Sequence, residues 1–139
     1  MARKPGIDTR FDHLLGKPHC DFGRGPNDYD CYGAVIEAGR IVGVDIPDYG
    51  SVPTEDNDED IERIILLHHH EARKLDIPRE GAVLLFYDES LLHISHMAIM
   101  ISAINFIHSR RSSGVQVSRF NNPYWQRRLE GIYWWTRNN

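Results

Sequence analysis

Three side chains in this 139-residue chain have the chemistry of a thiol nucleophile and its helpers: Cys31, His96 and His108. Cys31 heads a stretch in which Cys31, Val35, Ala38 and Val42 recur at helical spacing, with Ile36 beside them. A cysteine in the first turn of a helix meets unpaired backbone amides and the positive end of the dipole, which favour the nucleophilic thiolate. Asp30 suits the N-cap, and Gly33 and Ala34 are small enough for a substrate backbone to come close. A cysteine nucleophile also needs a base, normally a histidine held by a third polar group. His96 opens the run His-Met-Ala-Ile-Met-Ile, and His108 lies in Phe-Ile-His-Ser. Strand alternation with a short turn at Ser102 and Ala103 sets the two histidines side by side near one end of a sheet. A helix presenting Cys31 to that end completes a nucleophile, a base and an orienter. The same residues have a plainer reading, as a buried small apolar side chain and two structural strand histidines.

The elements that must position them follow from periodicity. Residues 7–15 carry Phe11, Leu14 and Leu15 at helical spacing, stopped by Gly16 and Pro18, and read as a short helix. Residues 19–29 hold Gly23, Gly25, Pro26 and Asn27 and read as a loop, followed by a helix over 31–42. Residues 44–53 read as irregular, and the acidic run 55–60 leads into a second long helix over 61–74. Strands are expected at 82–87, 96–102, 104–109, 114–120 and 131–135. N-terminal helices packed on an antiparallel sheet of about five strands make an α+β class, expected as a single domain over 1–139.

Composition narrows the function. With 41% hydrophobic and 26% charged residues the chain reads as an ordinary globular domain, long enough to build a core without disulfides or a structural metal. Two cysteines do not make a disulfide framework. A formal charge of −4 lacks the basic excess of nucleic-acid binding, so no nucleic acid is expected as a partner. Residues 97–107, the longest apolar-rich segment, are too short and too polar to span a membrane, and the basic start lacks the apolar run of a secretory signal. No metal or other cofactor is expected: His68, His69 and His70 splay around a helix rather than converge, and residues 56–60 lack the glycine and glutamate of an EF-hand loop. Trp125, Trp134 and Trp135 suit a sugar-stacking platform, a core or a subunit interface.

The ordered set of segments resembles the NlpC/P60 cysteine peptidases, in the form found among bacteriophage tail proteins. Leu15-Gly16-Lys17-Pro18, Gly23-Arg24 and Asp30-Cys31-Tyr32-Gly33 resemble the nucleophile segment. Gly81-Ala82-Val83-Leu84-Leu85-Phe86 resembles the strand before the catalytic histidine, and His96-Met97-Ala98-Ile99 resembles the His-Val-Gly-Ile motif with Ala98 for glycine. Phe106-Ile107-His108 resembles the strand that supplies the third polar residue. Gly114-Val115-Gln116-Val117 and Arg127-Arg128-Leu129-Glu130-Gly131-Ile132-Tyr133 resemble the phage-type ending.

The resemblance implies a papain-like α+β fold and hydrolysis of peptidoglycan stem peptides, commonly between D-glutamate and a diamino acid. Cys31 would attack, His96 would act as base and His108 would orient it. On phage tails this activity opens the cell wall for passage of DNA. The implied partners are peptidoglycan and the tail hub and tail tip proteins, and the implied location is the virion, made in the host cytoplasm. His19 stands where the family usually has an aromatic residue near the oxyanion site, so His19, Asp30 and Arg24 are the substrate and oxyanion candidates. Arg24 suits either a stem-peptide carboxylate or a salt bridge bracing its loop. The alternative implied by His19 is a catalytically silent plug or hub-binding component of the tail tip.

Overall fold

The computed structural model describes residues 8–49 and 68–138. Helix α1, Cys31–Val42, has the bounds its sequence predicts. Asp30 caps it, its Oδ1 accepting the Gly33 N–H at 2.6 Å, and Gly43 ends it in the left-handed conformation (φ 87°). Its buried face carries Tyr32, Val35, Ala38 and Gly39. At Gly39 an added Cβ would stand 3.0 Å from Ile46 and 3.3 Å from Ile99, so the missing side chain lets the helix settle closely on the sheet.

That sheet has six strands, all neighbours antiparallel: β1 (Ala72–Leu75), β2 (Val83–Tyr87), β3 (Ile94–Met100), β4 (Asn105–Arg110), β5 (Gly114–Arg119) and β6 (Leu129–Trp135). Their spatial order is β1-β6-β2-β3-β4-β5. β2 to β5 form the expected meander, after which a short helix α2, Pro123–Arg128, returns the chain so that β6 lines the free edge of β2. Helix α1 packs on β3 and β4. The apolar run Val83 to Phe86 is buried throughout, as a central strand covered on both faces requires. The β3–β4 turn is held by Ser102 Oγ, which accepts the N–H groups of Ile104 (3.2 Å) and Asn105 (3.0 Å).

Two expectations are corrected. Residues 10–16 form consecutive turns, not a regular helix: Phe11 and Leu14 are buried as the pattern requires, but the Gly16 N–H goes to Val115 O at 2.9 Å. One turn closed by a glycine and claimed by β5 has no length over which helix formation can propagate. The expected helix over 61–74 does not reach its predicted end. Residues 61–67 lie outside the described residues, His69–Glu71 form a 3₁₀ turn, and Ala72–Leu75 are β1, paired through Arg73↔Trp134 and Lys74↔Tyr133. The sequence Ala-Arg-Lys-Leu favours a helix locally, but the hydrogen-bonding edge of β6 outweighs that weak preference. β1 is therefore the sixth strand that the periodicity does not show, and α2 is a further helix it does not show. Residue 7, residues 50–53 of the expected irregular segment and the acidic run 55–60 also fall outside the described residues.

Candidate active site

His96 is the third residue of β3 and His108 the fourth of β4, so the hairpin brings them together as its register demands. His96 Nε2 and His108 Nδ1 are 2.8 Å apart in one hydrogen bond, and His108 Nε2 continues to Ser118 Oγ on β5 at 2.9 Å. The Gln116 amide lies 3.4 Å from the same His108 nitrogen. His96 Nδ1 is buried and makes no hydrogen bond. Neutral imidazole carries one proton, so a chain running His96 Nε2–H to His108 Nδ1 and His108 Nε2–H to Ser118 leaves the His96 Nδ1 lone pair open. Gln116, turned with its oxygen inward, accepts from His108 as well.

Trp125 of α2 covers this pair. It is buried, stacked on His96 (centroids 5.5 Å apart, planes at 25°) and edge-on to His108 (4.9 Å, 90°). Behind it lie Phe86 and Phe106. Burial pulls the two imidazoles away from protonation: His108 falls from 6.5 to about 3, with the Arg110 guanidinium adding to the effect. His96 is held well below 6.5 by burial first and then by the charges of His108, Arg110, Arg128 and His19. Both are neutral at physiological pH. Trp134 and Trp135 are buried elsewhere, beneath Arg79 (3.9 Å to the Trp134 ring) and against Tyr49, whose hydroxyl accepts the Trp135 indole N–H at 3.1 Å. All three tryptophans are core residues, not an open platform.

The start of α1 is fixed by the loop before it. Gly23 O would be 2.1 Å from a Cβ on Gly33, so the loop backbone runs directly against the first turn of the helix. Asp30, fully buried, holds Arg24 Nη1 at 2.9 Å through both carboxylate oxygens, while Arg24 Nε reaches Asp48 at 3.0 Å and the guanidinium lies over the Tyr32 ring. Burial pushes the Asp30 carboxyl up from its ordinary value, and the Gly33 N–H and Arg24 pull it back. Arg24 thus braces the cap, and by neutralising Asp30 it removes a charge that would oppose a thiolate at the next residue. Cys31 is buried at the head of α1, and Cys20 is exposed.

Ser109, the residue after His108, ties this segment to the sheet: its hydroxyl donates to Tyr29 O at 2.7 Å, two residues before Cys31. The start of α1 is therefore anchored to β4 at the residue after His108. With its one proton given to Tyr29, Ser109 Oγ accepts from His19 Nδ1 at 3.1 Å. Neutral His19 consequently has no proton on Nε2, which is buried, makes no hydrogen bond and lies 3.6 Å from Asp21 Oδ1. His19 offers a donor there only as an imidazolium.

A cleft of about 220 Å³ opens beside His96, lined also by Ser95, Asp88, Glu89, Arg110, Trp125 and Arg128. Sequence reasoning did not find Ser118, Gln116, Ser109 or the two arginines. The first two were accessible in principle, since strand alternation places Gln116 opposite His108. Among the described residues no group of three or more His, Cys, Asp or Glu side chains is arranged to hold a metal ion. His68 instead stacks on Tyr49 and bonds Glu71 at 2.6 Å.

Comparison with known proteins accords with this architecture. The NlpC/P60 family profile matches residues 16–133. No curated protein matches the chain. Among solved structures, a protein similar to lipoprotein of the NLP/P60 family from Staphylococcus aureus superposes with a TM-score of 0.59 at 18% identity, over 89% of this chain and 38% of that one. An NlpC/P60 family protein from Bacillus cereus gives 0.59 at 22% identity over 86% and 35% of the two chains. NlpC2 from Trichomonas vaginalis gives 0.60 at 16% identity over 87% and 42%. The chain thus spans less than half the length of each of these relatives, and at these identities they share its fold. Because the family profile covers residues 16–133, most of the sequence, the chain belongs to the NlpC/P60 family, whose members are usually cell-wall peptidases.

Proposed function

We propose that the protein is a cysteine peptidase that hydrolyses peptidoglycan stem peptides, with Cys31 as nucleophile, His96 as general base and His108 as its orienter. The observation that carries this reading is the 2.8 Å bond from His96 Nε2 to His108 Nδ1, because it commits the outer nitrogen and leaves His96 Nδ1 as proton acceptor. Burial keeps that imidazole neutral and so able to accept. The Cys31 thiol gives its proton to His96 Nδ1 as sulfur attacks the scissile carbonyl. The imidazolium then hands this proton to the leaving amine, and a water deprotonated by His96 releases the acyl group from sulfur. The positive end of α1 favours the thiolate throughout. The test is release of stem-peptide fragments from purified cell wall by wild type and by Cys31→Ala. Wild-type activity that is lost in a variant with unchanged circular dichroism supports the reading, and equal release by the two refutes it.

The location belongs to the same proposal. The resemblance of the segments around Asp30-Cys31-Tyr32-Gly33 and 127–133 to phage-type members supports a place in a phage tail tip, bound to hub proteins, where the activity would open the wall. Particles carrying Cys31→Ala should assemble normally and infect poorly. Normal infection by those particles would instead favour a catalytically silent tail component.

A further inference from the structure

The cleft beside His96 is lined by two arginines, Arg110 and Arg128, and by two carboxylates, Asp88 and Glu89. The Arg110 guanidinium, at the end of β4, lies 5.0 Å from the Trp125 ring centroid, and that of Arg128, at the end of α2, lies 5.4 Å from the same ring. Arg128 donates Nε–H to Tyr87 O at 2.8 Å and bonds the Tyr124 hydroxyl. Among the described residues neither arginine forms an ion pair. Asp88, in the same lining, accepts from Ser90 Oγ (2.7 Å) and the Leu92 N–H (3.1 Å) in the β2–β3 turn, and Glu89 is exposed. Two guanidinium groups held near one buried indole are placed to give charge-assisted hydrogen bonds to an anion that enters the cleft.

The position of the cleft says which part of a substrate would supply the anion. It is lined by His96 but by no residue of α1 or of the loop over 19–30. It therefore adjoins His96, the base that in the peptidase reading protonates the departing amine. We propose that Arg110 and Arg128 form a carboxylate-binding subsite for the amine-side portion of the substrate, so that the protein selects peptides with a free carboxylate close to the residue whose amine is released. The inference rests on the peptidase reading above for the word substrate, and on the cleft alone for the anion.

The test uses the wild-type protein and Arg110→Gln with two probes, the dipeptide L-lysyl-D-alanine and its C-terminal amide, titrated by calorimetry. Wild type should bind the acid at least about tenfold more tightly than the amide, as expected for a charge-assisted pair, and Arg110→Gln should abolish the difference without lowering the melting temperature. Equal affinity for acid and amide, an unchanged ratio in Arg110→Gln, or no binding of either at millimolar concentration overturns the subsite. A clear acid preference in a protein that releases nothing from cell wall would refute the peptidase and leave the subsite standing. Normal hydrolysis without acid preference would do the reverse.

Discussion

The buried histidine pair makes stability depend on pH, and His108 gives the size of the effect. Its pKa is about 3 in the folded protein against 6.5 as the ordinary value. Because the folded value is the lower one, the unfolded chain takes up the proton first, and stability is present above the unfolded value, nearly in full by about pH 7.5, and is lost as pH falls through 6.5 toward 3. At pH 5 the unfolded histidine is almost wholly protonated and the folded one almost wholly neutral. The linkage expression RT ln(1 + 10^(6.5−5)) then gives about 2 kcal/mol, of which less than about 0.2 kcal/mol is already lost at pH 7. His96 is shifted in the same direction and adds to the loss. The measurement is urea denaturation of wild type and His108→Gln from pH 8 to 5. Wild type should lose about 2 kcal/mol more than the variant over that range, the carboxylates common to both cancelling in the difference. Superimposable pH profiles would show that His108 titrates normally in the folded state, and the argument that the pair is held neutral by burial would fall with it.

Two further predictions concern the segment that carries Cys31. Arg24→Ala should cost about 2 to 3 kcal/mol in urea melts, at the lower end of the range for breaking a buried pair because Arg24 is a quarter exposed while Asp30 is not exposed at all, and Asp30→Asn should cost less than Arg24→Ala. Gly33→Ala, whose methyl would stand 2.1 Å from Gly23 O, should destabilise by about 3 kcal/mol and slow alkylation of Cys31 relative to Cys20; a variant as stable as wild type would mean the loop does not pack on the helix as described.

What the sequence by itself determined is what is written in neighbouring residues. Asp30 followed by the Cys31, Val35, Ala38 face specifies a capped helix, because cap and stripe are set by spacing along one chain segment. The alternation through β2 to β5 and the short turn after β3 are local in the same sense, and they alone suffice to make His96 and His108 neighbours. The partner strand of Ala72–Leu75 is about sixty residues away in sequence, and four helix-favouring residues carry no sign of the edge that will claim them. The cover over the histidines comes from Trp125 in a turn of helix that periodicity does not reveal, and their depressed basicity comes from that burial. Arg24 shows the same division: its guanidinium suits a substrate carboxylate or a structural one, and only the folded loop, by bringing Asp30 and Asp48 within 3.0 Å, decides which charges it meets. Spacing fixes which groups are available along the chain, whereas burial, desolvation and ion pairing are properties of distances between segments, and those exist only once the chain has packed.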